Sequence, residues 1–164
     1  MNPKREIILN LYIFDENGDL LVVDRDENDS IEQNVVTLPI LYLPIDEHPV
    51  DYIKKYLKSK KLKIKNLEML KGIYLNKFDV EMEIDYLVFS FKIEVQGLRN
   101  EVRSDEENPN LKWMTLEEFS NHPKLMPEFR QNNFESLLEG KGLFYKGTYR
   151  ESDGSFGVMK MINY

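Results

Sequence analysis

The sequence predicts an α+β fold, a mixed β-sheet with helices packed against it and a β-hairpin at the C-terminal end. Three observations lead there. Strand-type apolar runs recur along the chain; an amphipathic helix with clear start signals interrupts them after residue 48; and the chain is large and apolar enough to bury a core. Of 164 residues, 41% are hydrophobic and 12% aromatic, and a chain of this length buries roughly 70% of the surface its unfolded form exposes. A single domain spanning residues 1–164 is expected, with a core at 7–140 and a hairpin extension at 141–164.

Each element has its own local reason. Ile7 to Phe14 is a β-type run, Glu16-Asn17-Gly18-Asp19 carries the Asn-Gly hairpin signal, and Leu20 to Val23 returns. Arg25 to Gln33 is polar without apolar period and reads as a loop. Val35 to Leu43 is a second apolar block, made irregular by Pro39 and Pro44. Asp46-Glu47-His48-Pro49 starts a helix, because proline suits the first helical position and acids suit the positive end of the helix dipole. Val50, Ile53, Tyr56 and Leu57 then fall three and four apart with lysines between them, an amphipathic helix with a cationic outer face.

Leu62 to Ile64 and Met69 to Leu75 are two short strand candidates. Phe78 to Val95 is the longest strand signal, and its apolar phase slips near Tyr86-Leu87, as at a bulge. Gln96 to Asn110 is a loop. Leu111 to Met114 is a strand leading into Thr115-Leu116-Glu117-Glu118, a capping box that opens a helix. Pro127 to Leu138, stopped by Gly140, is a further helix. Leu143 to Tyr149 and Phe156 to Ile162 form the final hairpin across Asp153-Gly154, and its apolar side chains suit either the domain's own surface or a second copy, so a homodimer is possible.

Composition removes several functions. The chain has no Cys, which excludes disulfides, thiolate metal sites and a cysteine nucleophile. His48 and His122 are too few for a multi-histidine metal site, and neither sits in a recognisable nucleophilic triad. The scattered glycines make no phosphate-cradling loop. The apolar run after the N-terminus is too short to span a bilayer, so a soluble, cytoplasmic protein without a membrane partner is expected. The net charge is −7, which argues against nucleic acid, yet it is banded: residues 1–51 carry −9, 52–78 carry +8, 79–118 carry −7 and 119–164 carry +1.

The order of hairpin, Leu-Pro strand, helix, long strand, Glu-rich loop, Trp strand and capped helix resembles the Nudix (MutT-like) hydrolase family over residues 7–140. Leu21-Val22-Val23-Asp24-Arg25, Thr37-Leu38-Pro39 and Leu111 to Phe119 are the individual echoes. The resemblance implies an α/β/α sandwich and hydrolysis of nucleoside diphosphates linked to another group. The family signature, Gly-x5-Glu-x7-Arg-Glu-U-x-Glu-Glu-x-Gly-U with U aliphatic, is degenerate here. Aligned on Glu47, it meets Leu41, Lys55, Tyr56, Leu57, Ser59, Lys60 and Leu62, and no acid lies between Asp51 and Glu68. The family's Mg²⁺ needs hard carboxylate oxygens, whereas a lysine ammonium ~4 Å from a cation is repelled by ~4 kcal/mol per unit charge at an effective dielectric of 20.

Three functions stay open. With hydrolysis lost or strongly reduced, Arg25, Lys55 and Lys60 put positive charge where the family puts metal, for a nucleotide-like phosphorylated ligand or a partner protein; alternatively the lysines are a solvated helix face. No cofactor is expected in that case. A Mg²⁺-dependent enzyme with relocated acids would use Glu47, Glu106 and Glu107, with Asp46, Asp51 and the strand acids Glu81, Glu83 and Asp85 nearby. The seven lysines within residues 54–65 are also compatible with a nucleic-acid or protein interaction surface.

Overall fold

The computed structural model describes residues 4–29, 33–79, 83–126, 129, 143–149 and 160–162. Alternation in the first strand, β1 (Lys4–Phe14), divides the core. Leu9, Leu11 and Ile13 join one apolar cluster, while Tyr12 and Phe14 join another on the opposite face, as a period of two requires. The chain turns at Gly18, whose φ of 81° favours glycine. The Asp15 carboxylate clamps that turn by accepting from the backbone N–H groups of Asn17 and Asp19 at 2.9 and 3.0 Å. β2 (Leu20–Arg25) then runs back antiparallel, Leu20 opposite Phe14.

Leu38-Pro39 separates two short strands. β3 (Val35–Thr37) pairs with β2, and β4 (Ile40–Tyr42) pairs with β1, placing Leu41 opposite Leu9. Proline's missing N–H suits it to such a step between strand edges. β6 (Ile84–Gln96) runs parallel to the whole of β1, β5 (Lys63–Asp79) lies antiparallel to β6, and β7 (Leu111–Met114) pairs with β2. The tail strand β8 (Leu143–Tyr149) runs parallel to β5 and antiparallel to β9 (Lys160–Ile162), so the terminal hairpin joins the chain's own sheet. Among the described residues this is one mixed, nine-stranded sheet in the order β3-β2-β1-β6-β5-β8-β9, with β4 and β7 at the sides of β1 and β2.

Helices cover both faces. The first, α1 (Pro49–Ser59), has proline in its first turn, Asp51 near its start and Lys58 near its end, all favourable to the dipole. Its Ile53 and Leu57, both 0% exposed, each contribute roughly 1.5–3 kcal/mol by packing on the Leu9-Leu11-Ile13 face. The short helix α2 (Leu116–Ser120) puts Phe119 into the other cluster, and both hydrogen bonds of the Thr115–Glu118 capping box form. No helix among the described residues is long and apolar enough to cross a membrane.

Two strand expectations are corrected. Residues 62–64 and 69–75 do not form two separate strands: 63–64 and 69–75 are parts of β5, which starts at Lys63 and whose ladder to β6 is shifted between Ile64 and Asn66 and between Met69 and Tyr74. Those irregularities break the apolar alternation without breaking the strand. Conversely, 78–95 is not one strand: β5 ends at Asp79, Glu83 takes a positive φ of 54°, and β6 begins at Ile84. No Gly or Pro marks that turn in the sequence. β6 itself holds an unbroken register against β1; its apolar phase blurs because both of its faces carry buried residues, from Ile84 to Val95. The helix expected at 127–138 falls outside the described residues, save Phe129.

Candidate functional site

The end of α1 determines the site. Lys61 adopts a left-handed φ of 58°, and the N–H groups of Lys61 and Leu62 bond to the carbonyls of Lys58 and Leu57 at 3.0 and 2.9 Å. This is a Schellman termination with lysine where glycine is usual. It leaves Lys60 at the C-cap, pointing inward with only 5% exposure. The Lys60 ammonium lies 2.5 Å from an Asp105 carboxylate oxygen and donates to the Arg103 carbonyl at 2.6 Å. It also stands 5.2 Å from the centre of the Tyr56 ring.

The loop it meets is anchored from beneath. Asn108, 0% exposed, accepts from the Ile40 N–H and donates to the Ile40 carbonyl, both at 2.8 Å, which pins the loop to β4. The Asn108 N–H donates to Asp105 at 2.8 Å. Arg25 is also fully buried; it pairs with Asp29 at 3.0 Å and donates to the Glu107 carbonyl at 2.8 Å. A cleft of about 450 Å³ opens between this loop and the helix, lined by Leu41, Tyr52, Lys55, Tyr56, Asp105, Glu106 and Glu107.

Three carboxylates and two phenols against one lysine give this cleft a negative character. Burial first, then the neighbouring Asp105, pushes the Glu107 carboxyl above its usual range, against the Tyr42 N–H and Arg25, which pull it down. The Tyr52 phenol is likewise raised by burial and next by Glu107 and Glu47. Tyr56 is raised most, through burial and then Asp105 and Glu107, and its buried hydroxyl has no hydrogen-bond partner among the described residues. Lys55 is held protonated by its hydrogen bond to Glu47, at 2.5 Å.

The structure thus brings Lys55, Glu106 and Glu107 to one cleft, with Glu47 at its edge through Lys55. It turns Arg25 and Lys60 into the protein's own ion pairs. Asp46 and Asp51 are exposed near the helix start. The three-acid strand face does not form as expected: Glu83 is in the turn, Asp85 is bound by Arg5 at 2.7 Å, and Glu81 lies outside the described residues. His48 precedes α1 without a side-chain cap, and His122 accepts from the Lys124 N–H. Sequence reading missed Asp105 and Asn108. Asp105 and Asn108 sit in a polar loop with no periodicity, and their partners are 45 and 68 residues away in the chain.

No family model matches the sequence, and no curated protein matches it. Solved structures do. A mutator MutT protein from Bacillus halodurans superposes with a TM-score of 0.65 at 17% identity, over 95% of this chain and 97% of that one. The fold is Nudix-like. A MutT protein from Methanosarcina mazei (TM-score 0.60, 16% identity, 86% of this chain and 98% of that one) and a Nudix hydrolase from Nitrosomonas europaea (0.56, 16%, 92% and 81%) agree. On this Nudix-like scaffold the residues do not fit the Mg²⁺ that the signature helix would hold. The aligned positions carry a buried phenol at Tyr56, a hydroxyl at Ser59 that donates to the Tyr56 carbonyl at 2.7 Å, and the paired ammonium of Lys60. Among the described residues, no three His, Cys, Asp or Glu side chains gather as a metal site would need.

Proposed function

We propose that this chain is a Nudix-fold protein without metal-dependent pyrophosphohydrolase activity, whose cleft between α1 and the 103–108 loop binds a small organic ligand. One observation carries the reading: Lys60 is buried and ion-paired to Asp105, at the position that the resemblance aligns with a signature glutamate. An ammonium there satisfies a loop carboxylate that would otherwise be available to a cation, and it repels a divalent ion at short range. The cleft itself is of ligand size and has apolar and aromatic walls with a few convergent polar groups. A nucleotide-like phosphorylated ligand fits less well, because of the three expected cations, Arg25, Lys55 and Lys60, only Lys55 lines the cleft.

Two measurements test this. Purified protein incubated with Mg²⁺ and a panel including ADP-ribose should release no nucleoside monophosphate above the blank. Turnover that requires Mg²⁺ and is abolished by Glu47→Gln or Glu107→Gln would establish the relocated-carboxylate enzyme instead. A small-molecule library screened by thermal shift in EDTA should yield saturable hits that Glu106→Trp, a bulky group at the exposed rim, removes. A library without such hits would retire the binding role.

A further inference from the structure

We propose that the cleft selects an organic cation, an amine, amidine or guanidine on an apolar body, through Tyr52, Tyr56, Glu106 and Glu107. The proposal rests on the binding role above and gives that same cleft its ligand class. It begins with a charge inventory. The cleft's lysine, Lys55, is joined to Glu47, and its Asp105 is joined to Lys60, each pair at 2.5 Å. Glu106 and Glu107 remain, and no cation among the described residues forms an ion pair with either. Two surplus negative charges therefore face a partly enclosed space, where screening by water is weaker than on an open surface.

The electrostatic response of the walls agrees. The carboxyl of Glu107 and the phenol of Tyr52 are both shifted toward their protonated forms, by burial and then by neighbouring carboxylates. A positive ligand relieves that repulsion; a phosphate adds to it. The remaining lining suits the body of such a cation. Leu41 and the two tyrosines supply apolar and π surface, and tyrosine faces attract cations. Lys60 already shows this attraction from behind, with its ammonium 5.2 Å from the Tyr56 ring centre. The cleft of about 450 Å³ accommodates a ring bearing one charged group or a short polyamine.

Isothermal titration in EDTA tests the proposal, with benzamidine and spermidine as cations and ADP-ribose and AMP as anions of comparable size. Wild-type protein should bind at least one cation saturably and neither anion, and the double variant Glu106→Gln, Glu107→Gln should weaken the cation by about tenfold or more, the loss expected for charge-assisted hydrogen bonds. Circular dichroism and melting temperature establish that the double variant is folded. Undiminished cation binding in that variant, or binding of the anions alone, would overturn the cation assignment while the binding role stands. Silence from all four probes overturns the cation assignment, and the library screen then decides the binding role separately.

Discussion

Replacing Lys60 by Met removes one charge while keeping most of the apolar stem, so it isolates the ion pair that closes the loop against the helix. Two bonds are lost, to Asp105 at 2.5 Å and to the Arg103 carbonyl at 2.6 Å. Breaking a fully buried pair by removing one partner costs about 3–5 kcal/mol. Here the Asp105 side chain is 37% exposed and still accepts the Asn108 N–H, so it regains water and part of that cost is relieved. A loss of about 2 kcal/mol remains, which for a chain of this size is about 4–8 °C in Tm. Urea unfolding followed by circular dichroism measures it, and a cycle with Asp105→Asn should give a coupling of about 1 kcal/mol. A Lys60→Met loss below about 0.5 kcal/mol, or strict additivity with Asp105→Asn, would show that the pair does not hold the loop.

Asn108→Ala strands both backbone groups of Ile40 and should cost about 2–3 kcal/mol, seen as a lower urea midpoint with an unchanged slope. Thr115→Ala removes the α2 cap and should cost about 1 kcal/mol in the same assay. Glu107→Gln should stabilise the protein at pH 7, by about a few tenths of a kcal/mol because the group is half exposed. The sign follows from its raised carboxyl pKa: the fold disfavours the charged form, so the wild type recovers as pH falls through that value and the two melting curves converge below it. In a Ser59→Glu, Lys60→Glu variant, which places one acid beside Asp105 and a second next to it in sequence, millimolar Mg²⁺ should raise Tm while leaving the wild type unchanged; an equal response of both proteins would contradict the register assigned to α1.

How much of this was legible in the sequence varies by element. The first hairpin, α1 and the α2 capping box were readable because each is encoded within a few residues: Asn17-Gly18, Pro49 with the 50-53-57 stripe, Thr115 with Glu118. The turn between β5 and β6 was not, because no glycine or proline marks it and a phase slip from a turn looks the same as one from a bulge. The absence of glutamate from α1 was visible as a string of residues, since a carboxylate absent from the chain is absent from any fold.

What the sequence by itself determined is therefore the locally encoded elements, the first hairpin, α1 and the α2 cap, and the absence of any glutamate from α1. The tertiary structure decided what the lysines do. Lys54 and Lys55 stay exposed while Lys60 is buried, although all three belong to one basic run. The difference arises because the helix ends in a left-handed turn at Lys61 that aims Lys60 at a loop 45 residues onward, and because Asn108 and Arg25 hold that loop in place. Electrostatic partnership depends on distance in space, falling with separation and with solvent screening, and no local pattern encodes it. The same physics makes the cleft negative, although most of the helix beside it lies within residues 52–78, the most basic stretch of the chain.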